Sequence, residues 1–148
     1  MSEHVHKHEL DLKELGEELR SKSQKMTGPR FAVLKVLQAK QAPMTNKEIH
    51  QSLPENMCDL ATVYRSISWL EKMGMVTKYD FGDGVARFEL HAPGEDGHHH
   101  HLVCTSCTAI IELDGCFQQE LEESLAKKHG FKSITHKLEF FGVCPACQ

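Results

Sequence analysis

Two CxxC pairs, Cys104-Thr-Ser-Cys107 and Cys144-Pro-Ala-Cys147, are the residues of this chain whose types and spacing speak most directly of chemistry. Each pair brings two thiolates within reach of one tetrahedral ion, and four thiolates at about 2.3 Å complete the closed shell of a structural zinc. A closed shell has no open position, so Cys104, Cys107, Cys144 and Cys147 are expected to hold the fold together and to perform no catalysis. A redox role for either pair is the alternative, and a reducing compartment favours metal over disulfide. Cys58 and Cys116 stand alone and read as small buried hydrophobes.

Upstream of the first pair lies a run of four histidines, His98 to His101. In extended backbone His99 and His101 project to one side and His98 and His100 to the other, so two separate metal sites are possible. Glu112 falls on the next expected strand, and Glu89 and His91 share one face of a hairpin arm before the run. A regulatory site built from Glu89, His91, His99, His101 and Glu112 would straddle the linker, letting occupancy set the angle between two lobes. The bland alternative is a solvated patch that scavenges metal without a designed site. His136, among apolar neighbours, reads by spacing alone as a core residue. His98 and His100 offer it company as a possible additional site, with a carboxylate from Glu120, Glu122 or Glu123.

These side chains need a scaffold, and 148 residues with 40% hydrophobic content suffice for one domain or two small ones without disulfides. The periodicity predicts an amphipathic helix from Leu10 to about Lys25, then a second from Pro29 to about Lys40, with Pro at its first turn. Thr45 and Glu48 form a capping box for a short helix from Asn46 to about Leu53. Asp59 caps the next, which carries Leu60, Val63, Ile67 and Leu70 on its apolar side and ends at Gly74. That leaves Thr62, Arg65 and Trp69 opposite, with Tyr64 at the flank. A hairpin of Met75 to Phe81 and Ala86 to His91 completes the layout of a winged helix-turn-helix over residues 1–91, with 1–20 as an N-terminal extension. Residues 92–97 are a breaker-rich linker. In 98–148 strands are expected around His99 to Val103 and Ala109 to Leu113, a helix from about Cys116 to His129, and a strand from Phe131 to Val143 that places Ile134, His136, Leu138 and Phe140 on one face. The fold class is therefore α+β, a winged helix-turn-helix domain followed by a small α/β domain with a four-cysteine zinc site.

The net charge of -4 conceals an asymmetry. From Arg20 to Lys47 there are seven basic residues and no acidic one, while residues 92 to 148 hold eight acids against four bases. A basic segment suits phosphates and an acidic half attracts cations. Thr62, Tyr64 and Arg65 near the start of the fourth helix suit major-groove docking, with Arg30 of the basic segment as a further DNA contact.

With these residues in view the sequence resembles the ferric uptake regulator family of metal-sensing bacterial repressors, from about residue 20 onward. The carriers are Leu60-Ala-Thr-Val-Tyr-Arg65, Arg87-Phe-Glu-Leu90, His98 to Cys107, Ile111-Glu112, Lys128-His-Gly-Phe131 and Cys144-Pro-Ala-Cys147. The resemblance implies an N-terminal winged helix, a C-terminal dimerisation domain, and homodimers that bind palindromic operators near metal-uptake genes when regulatory metal is held. It assigns the four cysteines to structural zinc, Glu89, His99, His101 and Glu112 to sensing, His98, His100 and His136 to the additional site, and Tyr64 and Arg65 to DNA reading. Pro43 stands where the iron-sensing branch usually has a histidine, and Gln119 where a glutamate is usual at the additional site. Neither the cysteine that the zinc-sensing branch often has at His91 nor its ligand near Thr77 is present as such. The regulatory ion implied is Zn2+ or Fe2+; three histidines and two carboxylates suit either, and the histidine run with the C-terminal Gly142-Val-Cys-Pro-Ala-Cys147 tilts the reading to zinc. A peroxide sensor is disfavoured, since that branch favours aspartates at Glu89 and Glu112.

Other classes fit less well. A zinc hydrolase would need an open position and a base, and there is no HExxH motif and no nucleophile beside an evident base. A zinc buffer or chaperone would need no DNA. No apolar run could span a bilayer and no signal peptide opens the chain, which points to the cytoplasm, with no membrane partner and no small organic substrate. His4, His6 and His8 read as part of a polar tail.

Overall fold

The computed structural model describes residues 11–148 apart from 22–23, 41, 92–98 and 114–117, together with all side chains of that set except Glu18. His98, Cys116, the 92–97 linker and the first histidine cluster therefore lie outside the described residues. The chain separates into two compact units, Met1–Glu95 and Asp96–Gln148.

Unit one holds helices α1 (Leu12–Ser21), α2 (Gly28–Lys40), α3 (Asn46–Ser52) and α4 (Leu60–Lys72), then strands β1 (Val76–Asp80) and β2 (Ala86–Leu90). Its core is the meeting of the helices' apolar faces: Val33, Leu34 and Leu37 of α2, Ile49 of α3, and Val63, Ile67 and Leu70 of α4, none more than 2% exposed. Leu15 and Leu19 of α1 and Phe88 of β2 join this cluster. The local start signals act as expected. The Thr45 backbone N–H donates to Glu48 Oε2 at 2.8 Å while the Glu48 N–H donates to Thr45 Oγ1 at 3.1 Å, so the box satisfies two helix-end donors at once. Asp59 Oδ1 accepts the Thr62 N–H at 2.8 Å at the head of α4.

The hairpin pairs Val76 with Leu90 and Asp80 with Ala86 in antiparallel register. Its turn is stiffened by a two-pronged contact, Arg87 Nη1 and Nη2 to the two Asp83 oxygens at 3.1 and 2.8 Å. That guanidinium holds the Asp83 carboxyl below its usual range. Met44 and Phe88 exchange both backbone hydrogen bonds, at 2.9 and 2.8 Å, which ties the segment before α3 to β2.

Two expectations for α4 are corrected. Trp69 packs against the core instead of standing on the solvent side, because Arg30 of α2 covers its ring. Leu60, placed on the apolar side by its spacing, is 37% exposed in the first turn, ahead of the helix's contact with its neighbours. The first helix, expected from Leu10 to about Lys25 by its apolar periodicity, is found at Leu12–Ser21 and has ended by Gln24, while Leu10 lies outside the described residues.

Unit two contains β3 (His100–Cys104), β4 (Ile110–Leu113), α5 (Gln119–His129), β5 (Glu139–Gly142) and a 3-10 turn, Pro145–Cys147. The sheet order is β4-β3-β5, antiparallel between β3 and β4 and parallel between β3 and β5. A parallel neighbour demands a crossover, and α5 provides it. Gly130 ends that helix in the left-handed region, φ 71°, its N–H returned to Ala126 O. The long final strand expected from Phe131 is not formed: only Glu139–Gly142 pairs. Ser133 at φ 54° breaks the extended run, and β3 offers only four partners, His101 to Cys104. Among the described residues no helix is long and apolar enough to cross a membrane.

Candidate metal centres and nucleic-acid interface

Cys104 closes β3, and the tight turn behind it carries Cys107, with the Thr108 N–H returned to Cys104 O at 3.0 Å. On the other side of the sequence β5 leads into Cys144, whose carbonyl accepts from the Cys147 N–H at 2.9 Å. The two knuckles converge. The four sulfurs all lie within 4.8 Å of one another, and Cys107 and Cys144 Sγ are 3.7 Å apart. Sulfurs around a tetrahedral zinc with bonds of about 2.3 Å stand about 3.8 Å apart, so the donor set fits that ion. The electrostatics are already divided. Backbone N–H groups of Cys107, Cys144 and Ser106 pull the Cys104 thiol from 9.0 down to about 6. Hydrogen bonds among the thiols, those with Cys144 and Cys107 first, push Cys147 up to about 12. None of the described cysteines is in a disulfide.

The histidine run sorts its members by partner. His99 Nδ1 meets Glu112 Oε1 at 2.9 Å. His101, whose side chain is wholly buried, pairs across β3 and β4 with Glu112 at the backbone and has Glu139 Oε2 at 3.5 Å from its Nδ1. Burial pushes the Glu139 carboxyl up. In unit one Glu89 is 5% and His91 8% exposed, and the His91 ring contacts the Thr77 hydroxyl through Nε2.

On the other face of β3, His100 and His136 stack with ring centroids 5.0 Å apart. His100 Nδ1 lies 3.1 Å from Leu138 O and His136 Nδ1 2.7 Å from Glu122 Oε1. A carbonyl and a carboxylate can only accept, so the Nδ1 atom of each ring is the donor in these contacts. The two Nε2 atoms face each other at 3.1 Å. Two ring nitrogens converging at that distance share one hydrogen or meet at one cation. His136, read as core by spacing, is thus part of a polar constellation, and of the three candidate carboxylates Glu122 is the one that reaches it. Spacing of three and four residues on α5 could not choose among them, because the loop carrying His136 is irregular.

Two partners of the histidines carry no spacing signal in the sequence. Glu139 and the Leu138 carbonyl come to them through the parallel pairing of β5 with β3. The hint is a glutamate opening an otherwise apolar run, Glu139-Phe-Phe-Gly142.

The exposed face of α4 presents Tyr64, 54% exposed, and Arg65, whose Nη2 donates to Thr62 Oγ1 at 2.9 Å. Thr62 is half-buried beneath it. Arg30 is more constrained than a free phosphate contact: its guanidinium carbon sits 4.1 Å from the Trp69 ring centre and Nη1 donates to Lys25 O at 2.6 Å.

Comparison with known proteins gives a consistent result. A sequence model described as "Ferric uptake regulator family" matches residues 21–141. The "Ferric uptake regulation protein" of Bacillus subtilis (strain 168) is 35% identical over 133 residues, 88% of this chain and 89% of that protein. Among solved structures, the Vibrio cholerae ferric uptake regulator is similar with a TM-score of 0.73 and 30% identity, over 88% of this chain and 99% of that one. The Helicobacter pylori regulator, described as having three functional metal binding sites, has a TM-score of 0.75 at 25% identity, over 92% of this chain and 90% of that one.

Proposed function

The chain belongs to the ferric uptake regulator family, and from that premise we propose that it is a metal-dependent repressor of metal-uptake and metal-homeostasis genes, acting in the cytoplasm as a homodimer on palindromic operators. Members of the family are transcription regulators, so the protein is not an enzyme. Residues 1–91 form its DNA-binding domain and 98–148 its dimerisation and metal-binding domain. The four cysteines hold a structural zinc, and Glu89, His91, His99, His101 and Glu112 hold the regulatory ion. His98, His100 and His136 form an additional site, with Glu122 orienting His136. Three sites agree with the number described for the Helicobacter pylori protein.

The observation that carries the reading is the His99–Glu112 contact of 2.9 Å beside a wholly buried His101. Imidazoles and carboxylates gathered in a largely buried place are a donor set that a cation can join. The favoured regulatory ion is ferrous iron. The proposed donors are three nitrogens and two carboxylates with no sulfur, a set of five that suits iron(II) better than four-coordinate zinc. The similar Bacillus protein is named for iron as well.

When bound, the ion supplies a positive centre that holds donors from both units. His99, His101 and Glu112 bind it from the sheet of unit two, and Glu89 and His91 from the end of the hairpin. Arg65, Tyr64 and Thr62 of α4 read the operator, and the basic residues around α2 pair with phosphates. Metal preference for the DNA-competent arrangement shifts the population by its differential affinity and no more.

The test is binding to an operator selected from genomic fragments, titrated separately with buffered iron(II), zinc and manganese, for the parent, H99A and E112A. Iron(II) should strengthen parent binding most, at the lowest free concentration. Both variants should lose metal dependence while keeping the dimer and the cysteine-bound zinc. The switch fails if they bind as tightly as the metal-loaded parent once regulatory metal is removed. A zinc buffer would show no salt-sensitive operator binding at all, since only phosphate contacts release counterions.

A further inference from the structure

The start of β5 meets two neighbouring histidines of β3 and turns an acceptor oxygen toward the Nδ1 atom of each. The Leu138 carbonyl faces His100 Nδ1 at 3.1 Å, and the Glu139 carboxylate faces His101 Nδ1 at 3.5 Å. His101 and Glu139 are Cα partners in the parallel pairing, so the contact is built into the register and does not depend on a long side chain reaching across the unit. The His101 side chain is wholly buried, and the Glu139 side chain is 21% exposed.

A glutamate is out of place there on strand grounds alone. The residues that follow are Phe140, Phe141 and Gly142, strands are depleted in glutamate, and partial burial of a carboxylate is unfavourable without a matching donor or cation. An apolar residue would serve β5 better unless the oxygens have a use.

We propose that Glu139 is a positioning residue for the regulatory ion: it accepts the Nδ1–H of His101, fixing the tautomer and ring orientation that present Nε2 to the metal. The inference rests on the reading of His101 as a regulatory ligand. A ligating histidine characteristically donates its other ring N–H to a carboxylate or carbonyl, which orients the ring and strengthens it as a donor. At 3.5 Å the contact is longer than a normal hydrogen bond. Pinning the ring through Nε2 would let it shorten. Glu139 therefore acts through His101 and does not itself touch the ion.

The full-length protein, with zinc on its cysteines, is compared as parent, E139A, E139Q and H101A. Zinc affinity of the regulatory site is read by competition with a chelator, and 15N-labelled histidine NMR of the zinc-loaded protein shows which ring nitrogen of His101 is metallated. E139A should weaken the site about 10- to 100-fold. E139Q keeps an acceptor oxygen of the same shape, so its affinity should fall between E139A and the parent. Cysteine-bound zinc should stay at one ion per chain in all four proteins. In the parent His101 should be metallated at Nε2, with a slowly exchanging Nδ1 proton that E139A exposes to solvent. A merely structural glutamate would not move that proton. Metallation through Nδ1 overturns the proposal, and so does an E139A site as tight as the parent's when H101A has lost it. An H101A protein that keeps the site removes the regulatory assignment of His101 first, and the role of Glu139 with it.

Discussion

Cys104 shows how much of a metal site is prepared by the backbone around it. Its sulfur accepts the Cys144 N–H at 3.3 Å, and the N–H groups of Cys107 and Ser106 add to the same pull, so the thiol titrates at about 6 where 9.0 is ordinary. Cys147, bonded to its fellow thiols, titrates at about 12. A thiol must lose its proton to ligate zinc. At pH 7.5 Cys104 has already done so and Cys147 has not. Zinc uptake by the stripped protein should then release fewer protons than the four ligands could supply. The sign follows from the depressed Cys104 value: as pH falls through about 6 its proton returns, the number released rises, and zinc affinity drops. A pH indicator in weakly buffered solution measures the count, and release of four protons at pH 7.5 contradicts the ionised Cys104. The cysteines, His99 and Glu112 were legible in the sequence because their spacing and the β3/β4 pairing are nearly local. Glu139 was not, since its approach to His101 depends on a crossover whose register no spacing rule fixes.

At the scale of elements, the proposed DNA reading falls to α4. Asp59 accepts the Thr62 N–H and starts the helix, and Val63, Ser66, Ile67 and Leu70 bury one side, which leaves Tyr64 and Arg65 outward near its N-terminal end. Arg65→Ala should weaken operator binding by about 1–3 kcal/mol, the range for a lost base contact, and leave the zinc-to-chain ratio unchanged. Arg30→Ala should behave differently. Its stack on Trp69 joins α2 to α4, so its loss should lower the thermal stability of unit one by about 0.5–1 kcal/mol in addition to any effect on DNA. Calorimetry and operator titration on the two variants separate these roles, and an Arg30→Ala protein as stable as the parent would make Arg30 a DNA contact only. Helix starts were readable because capping is a matter of three or four residues, as in Thr45 and Glu48. The alternation of Ile134, His136, Leu138 and Phe140 mimics a strand longer than Glu139–Gly142, while Ser133 in the left-handed region and the short β3 are features of the assembled unit.

For the molecule as a whole, unit two poses a stability problem that its own residues do not solve. None of the described side chains of α5 is buried, and Leu121, Leu125, Phe131, Phe141 and Val143 are all exposed. Across the sheet Leu102 pairs with Ile111 on one side and Phe140 on the other, so three apolar side chains form a continuous row, and they are 38%, 56% and 42% exposed. Small units with so little core need a metal, a partner or both. Zinc on the four cysteines would supply one, and a second copy covering this row would supply the other. An isologous contact would also suit the proposed palindromic operators, because a two-fold dimer would present two copies of α4 to two half-sites. Leu102→Asp tests this directly. The substitution lies on an exposed position of the single unit but would bury an unpaired charge at the dimer contact. Sedimentation should show a monomer that retains cysteine-bound zinc, and operator affinity should fall by more than about tenfold, since two half-sites are no longer held together. A variant that remains dimeric places the contact elsewhere on unit two. A monomer that still binds the full operator as tightly as the parent shows instead that pairing of subunits is not what sets affinity for DNA.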